Sequence, residues 1–205
     1  MARDHARISL DIWDDNDWTS LTSVQQIAYL TLISSRDLSY CGVLPYLPAR
    51  YALLAKDWTE RKFIAAITGL EAGRFLIVDR TTAEILVRSY VRHDGLLKQP
   101  NVTKALVKAY NRVHSEHLRA AIRVELARLL HEIPEARGWQ GLIDTSPELL
   151  DELHATPLPK GSTKGSENPS ANPEATPLPP SPFPSSSSLR SVTREGSNLP
   201  RAAAR

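Results

Sequence analysis

Among 205 residues there is one cysteine, Cys41, so no disulfide framework can hold the fold. No apolar run approaches the length needed to span a bilayer. The opening MARDHARISLD has no apolar core and does not read as a signal peptide. The glycine motifs that cradle phosphates, GxxxxGK[ST] and GxGxxG, are missing. So is an excess of one charge: 25 Lys and Arg stand against 23 Asp and Glu, a net of +2. These absences point to a cytoplasmic, non-enzymatic protein with no cofactor and no membrane partner. Any preference for an anionic partner must come from charge gathered locally.

Glycine and proline are unevenly spread. Of the 15 prolines, ten lie between Pro157 and Pro200, alongside the Ser185–Ser188 run and the repeated pentapeptide ATPLP at residues 155–159 and 175–179. Phe183 is the one aromatic residue there. Such a composition buries too little apolar surface to offset its ordering entropy, so a disordered tail is expected over residues 151–205. It reads as a tether or as an extended Pro-rich motif for a protein partner.

The first 95 residues alternate between two periodicities. LTSVQQIAYLTLISS carries Val24, Ile27, Leu30 and Ile33 at helical spacing, behind a capping box of Thr22 and Gln25. YCGVLPY is a short extended piece. Pro48 opens a second helix, and Asp57 with Glu60 reads as a second capping box, starting a third helix that runs to about Glu71. The inner face of that helix is expected to be Phe63, Ile64, Ile67 and Leu70, with Gly73 as its stop. RFLIVD and EILVRSYV, joined by residues 80–83, read as a β-hairpin. Helix, short strand, two helices and hairpin is the order of a winged helix, in which the third helix enters a DNA groove and the hairpin is the wing. The expected class is therefore α+β, mainly α: a winged-helix domain over residues 1–95, a basic helical extension over 96–150, then the tail.

Asn101 to Glu132 has neither glycine nor proline and reads as one helix, or as two broken near residues 111–115. Lys104, Lys108 and Arg112 recur every fourth residue, followed by Arg119 and Arg123, which stacks them into a cationic ribbon. Between Arg88 and Arg128 nine cations meet three carboxylates, a local excess of +6 on a chain of net +2. Segregated charge of this kind suits a polyanion, although an amphipathic helix with a solvated face has the same pattern. On the third helix, Arg61 could address a guanine edge and Thr68 a thymine methyl or a phosphate, with Lys62 beside them and Ala65 allowing close approach, but Asp57 and Glu60 nearly cancel Arg61 and Lys62, so this helix alone would bind DNA weakly. Arg50, Lys56, Arg80, Arg88, Arg92 and Lys98 complete the candidate phosphate contacts.

Other motifs are fragments. His93-Asp94 stands alone and reads as a loop hydrogen bond. His114 and His117 share a helix face, but no thiolate is near enough in sequence to complete a zinc set. His131-Glu132 lacks the second histidine of HExxH. Asp15, Asp17 and Thr19 start like a calcium loop, but Ser20 stands where glycine is required. Capping is the simpler role for these aspartates. Trp13 and Trp18 are expected to pack under the first helix, with stacking on bases as the alternative.

Four stretches carry a resemblance: ISLDIWDDNDWTSLTSVQQIAYLTLISS, CGVLPYLPARYALLA, FLIVDRTTAEILVRSYVRHDG and LLKQPNVTKALVKAY. Together, across about residues 5–145, they resemble small helix-turn-helix proteins of actinobacterial phages and prophages, similar in layout to phage replisome organisers. The resemblance implies double-stranded DNA binding at the host nucleoid. It further implies a part in phage DNA replication, by marking an origin or by bringing a helicase or its loader through the long helix or the tail. Homo-oligomerisation is left open. A phage transcriptional regulator would need the same groove chemistry, and a protein-interaction adaptor would use the winged helix as a scaffold.

Overall fold

The computed structural model describes residues 6–93 and 95–158. The expected tail beyond Leu158 lies outside the described residues, as does Asp94 of the His93-Asp94 pair. Within them the class is α+β, mainly helical, with one small antiparallel sheet.

The N-terminal aspartates work as caps. Asp15 Oδ1 accepts from the backbone N–H of Asp17 (2.8 Å) and Trp18 (3.3 Å), starting the one-turn helix α1 (Asn16–Thr19). This turn drives Trp18 into the core, where it meets Tyr29 and Phe75 edge-on at ring separations of 5.4 and 6.3 Å. Trp13 stays outside at 59% exposure, so the expectation that both indoles are buried holds for Trp18 only.

Helix α2 (Ser23–Ile33) has the expected capping box, with Thr22 Oγ1 accepting from Gln25 N and Gln25 Oε1 accepting from Thr22 N. Its buried face overlaps the expected one only at its C-terminal half, where Ile33 is buried and Leu30 packs partly against the core. Ala28, Tyr29, Leu32 and Ile33 go inward, while Val24 and Ile27 are exposed. The aromatic cluster around Tyr29 turns the helix by about one residue. Strand β1 (Val43–Pro45) follows Gly42, whose φ of +84° permits the turn. Helix α3 (Pro48–Ala52) begins at its proline and ends after little more than one turn.

Helix α4 (Glu60–Ala72) is capped by Thr59, whose hydroxyl accepts from Lys62 N. Asp57 is not part of the cap, which corrects the expected Asp57–Glu60 box. Phe63, Ala66, Ile67 and Leu70 are buried, and Ile64 faces out. Gly69 is where α2 comes closest: a Cβ there would collide with the Gln25 side chain.

Strands β2 (Leu76–Asp79) and β3 (Glu84–Val87) pair antiparallel, and β1 pairs with the other edge of β3, giving the order β1-β3-β2. The second β-rich run is shorter than expected, because Tyr90–His93 turns into a short helix, α5. Ile77 and Leu86 are register partners on one face of the sheet, and Leu76, Val78, Ile85 and Val87 alternate onto the other.

The helical extension starts with α6 (Pro100–Tyr110) and α7 (Glu116–Glu132), divided by Asn111–Ser115. Two further helices follow, α8 (Trp139–Thr145) and α9 (Pro147–Ala155). Helix α8 lies tight against α6: a Cβ on Gly141 would collide with the Pro100 carbonyl oxygen. Leu153 of α9 is buried, so the ordered packing passes residue 150 and reaches Ala155. One continuous apolar core runs from Trp18 to Leu153, joining the extension to the sheet.

Candidate nucleic-acid interface

The candidate cations fall into two groups with different surroundings. The first lies on and before α4. Arg61, Ala65, Thr68 and Ala72 recur at i, i+4, i+7 and i+11, a single exposed stripe with no carboxylate in it. Arg61 has no side-chain partner among the described residues, and neither has the exposed Lys56 in the turn before the helix. Lys62 donates to the Asp57 carbonyl at 2.8 Å, which holds its ammonium near the start of α4. Thr68 returns its hydroxyl to the Ile64 carbonyl (3.0 Å), so its methyl is what it offers outward. Ala65 and Ala72 add no bulk that would keep a partner away.

The second group is the expected ribbon, and here the structure corrects the sequence. Because the chain breaks after Tyr110, Lys104 and Lys108 belong to α6, Arg112 to the turn, and Arg119 and Arg123 to α7. Lys104 pairs with Asp144 of α8 at 2.9 Å. Arg119 and Arg123 share Glu116 at 2.7 and 2.9 Å, and Arg123 also donates to the Tyr110 hydroxyl and stands 3.9 Å from Glu152. Gln140 and then Lys104 hold the Asp144 carboxyl below its ordinary pKa, and Arg123 does the same for Glu116. Asp144 of α8 and Glu152 of α9, remote in sequence, thus join the local Glu116 in pairing three cations of the stripe. Lys98, Lys108 and Arg112 remain exposed without an ion-pair partner among the described residues.

The hairpin cations are also engaged. Arg80 forks onto Glu71 (2.8 and 3.4 Å) and lies 5.9 Å from the Tyr46 ring centroid. Arg92 binds Glu125 at 2.8 Å and Glu132 at 2.6 Å. Burial works against its charge, and these hydrogen bonds more than offset it, so its pKa is raised. Arg88 donates to the Arg74 carbonyl at 2.9 Å, and Arg50 pairs with Asp37 at 2.9 Å. Of the expected phosphate contacts, Arg50, Arg80, Arg92, Lys104, Arg119 and Arg123 each stand beside a carboxylate of the protein.

Two carboxylates missed in the sequence explain why the extension sits where it does. Glu84 accepts from the backbone N–H of His114 (3.1 Å) and Ser115 (2.8 Å), and Asp79 accepts from the Ser115 hydroxyl at 2.5 Å. The hairpin ends thereby satisfy donors at the start of α7, where the helix dipole also favours negative charge. Desolvation pushes the Glu84 pKa up, but the hydrogen bonds from His114 and Ser115 outweigh it, and the result is a lowered pKa. The signal available beforehand was a carboxylate at each end of the Arg80–Ala83 turn. Nothing local said what they would bind.

His114 Nδ1 lies 3.4 Å from Glu84. Among the described residues no cluster of three or more His, Cys, Asp or Glu side chains could hold a metal, and no helix is long and apolar enough to cross a membrane. Comparison of the chain with protein-family models, with curated proteins and with solved structures gave no match.

Proposed function

We propose that the N-terminal part of the chain is a winged helix that binds double-stranded DNA without catalysing a reaction. Helix α4 enters the major groove in this reading. The order α2, β1, α3, α4, β2, β3, with β1 paired to β3, supports the winged-helix assignment. The observation that carries the DNA reading is the Arg61–Ala65–Thr68–Ala72 stripe: exposed, free of carboxylates, and headed by an arginine that nothing else in the described protein engages. Arg61 then addresses a base edge, the Thr68 methyl makes an apolar contact, and Lys56 and Lys62 contact backbone phosphates. A part in phage DNA replication, at an origin or in recruiting a helicase or its loader, is proposed on the resemblance of residues 5–145 alone.

One observation favours a second reading. Leu53 and Leu54, in the turn before α4, are 85% and 65% exposed, which suits an adaptor that docks a protein on this end of the helix. Fluorescence anisotropy with a random-sequence duplex at low salt separates the two. DNA binding predicts titratable association that Arg61→Glu weakens at least about tenfold. Absence of association by the wild-type protein would overturn the duplex reading in favour of the adaptor.

A further inference from the structure

A cleft of about 430 Å³ opens between the hairpin and α7. Ile77, Ala121 and Val124 are the partly exposed apolar residues lining it, over buried Leu86, Val91 and Ile122, and Arg74, Arg88 and Arg128 stand around it. Its charge is out of balance. Glu71 lines the cleft but is forked by Arg80 from outside it, and Glu125 is shared between Arg128 (3.4 Å) and Arg92 (2.8 Å). Arg74 and Arg88 have no carboxylate partner among the described residues. Arg88 gives one N–H to the Arg74 carbonyl, and Arg128 Nε is buried with no hydrogen-bond partner among the described residues. Partial burial, and then Arg128 and Arg74 as like charges, lower the Arg88 pKa despite the attraction of Glu125. Arg74 holds this position on a left-handed backbone, φ +61°, which is uncommon for a side chain of its size.

We infer that this cleft is a binding site for a phosphomonoester carrying a flat apolar body, of mononucleotide size. Two uncompensated guanidiniums match a group that carries about −1.5 to −2 at neutral pH, whereas an internal phosphodiester brings a single charge. The apolar lining accepts the body of the ligand, and the volume lies in the range of small-molecule pockets. The inference does not depend on duplex binding by α4.

Isothermal titration of the full chain with 5′-deoxyadenosine monophosphate tests it. Binding is expected, at least about tenfold tighter than inorganic phosphate and than the 3′,5′-cyclic diester, with none for deoxyadenosine. Arg88→Ala removes a guanidinium and Ala121→Phe fills the cleft from α7. Each is expected to weaken binding at least about tenfold, and thermal melting reports whether each variant is folded. No binding at about 5 mM ligand, or binding that survives both substitutions, would overturn the assignment. A competing oligonucleotide identifies the source of the phosphate. Displacement by a 5′-phosphorylated strand and not by its unphosphorylated twin supports a DNA end, displacement by neither supports a free nucleotide, and equal displacement by both contradicts a monoester site.

Discussion

Helix α4 and the α6–α7 pair each present cations at helical spacing, but on α6 and α7 most of them stand beside a carboxylate, Lys108 and the turn residue Arg112 excepted, while Arg61 of α4 does not. On α4, Arg61 stands in a stripe with alanine and threonine and no acid. On α6 and α7, Lys104, Arg119 and Arg123 reach Asp144, Glu116 and Glu152. The difference lies in tertiary structure. Helix α4 turns its outer face away from every other element, while α6 and α7 are enclosed by α8 and α9, which bring their own carboxylates. An exposed ion pair is worth only about 0–1 kcal/mol, so this pairing does little for stability. Its effect is on the field: a cation already beside a carboxylate presents almost no net charge to a phosphate.

The contrast can be broken most severely by dismantling the enclosure. Gly141→Leu drives a side chain into the Pro100 carbonyl and should cost about 3 kcal/mol or more in denaturant unfolding, undocking α8 from α6. If α8 is what quenches Lys104, the variant should also bind duplex with a steeper salt dependence than the wild type. A variant as stable as the parent would show that this contact is not where the extension is held.

A smaller effect is expected at the hairpin junction. Glu84→Ala leaves the N–H groups of His114 and Ser115 without their acceptor and should destabilise the chain by about 1–3 kcal/mol. Because the Glu84 pKa is lowered by folding, its contribution is present above the unfolded carboxylate value and is lost as pH falls through the folded one. Asp79, lowered first by its bond from Ser115, acts in the same direction. Stability should therefore decline below about pH 4, and Glu84→Gln should flatten that decline in urea melts across the acid range. An acid limb identical in the variant would remove Glu84 from the account.

The smallest expected change is the sharpest comparison. Lys104→Met should alter stability by less than about 1 kcal/mol and leave duplex affinity unchanged, since its charge is already matched by Asp144. A severalfold loss of affinity would return the lysine to the DNA surface.

These differences also mark what could be read in advance. The Thr22–Gln25 box, Pro48 as a helix start, Gly73 as a stop and the hairpin are local signals, and each stands where the sequence puts it except the end of the second strand, which gives way to α5. Helix faces were less legible. Val24 and Ile27 are as apolar as Leu32 and Ile33, and only the Trp18–Tyr29–Phe75 cluster decides which side goes in. Thr59 outcompeted Asp57 as the cap because it immediately precedes the first helical residue. The cation ribbon failed as a free surface for a related reason. Counting charge along the chain between Arg88 and Arg128 registers Glu116 and Glu125 but not Asp144, Glu132 or Glu152, which arrive through packing. Arg74 and Arg128, now at the cleft, were indistinguishable in sequence from any other surface arginine.

If duplex DNA meets α4 and not the carboxylate-paired cations of the extension, as proposed, the two surfaces differ in salt dependence. The slope of log affinity against log salt for a random duplex tests this directly, measured for Lys56→Ala/Arg61→Ala/Lys62→Ala and for Lys104→Ala/Arg119→Ala/Arg123→Ala beside the wild type. The account predicts that the first triple flattens the slope by roughly 0.9 for each phosphate no longer neutralised, and that the second leaves it unchanged. A flattened slope in the second triple with an unaltered slope in the first would contradict it.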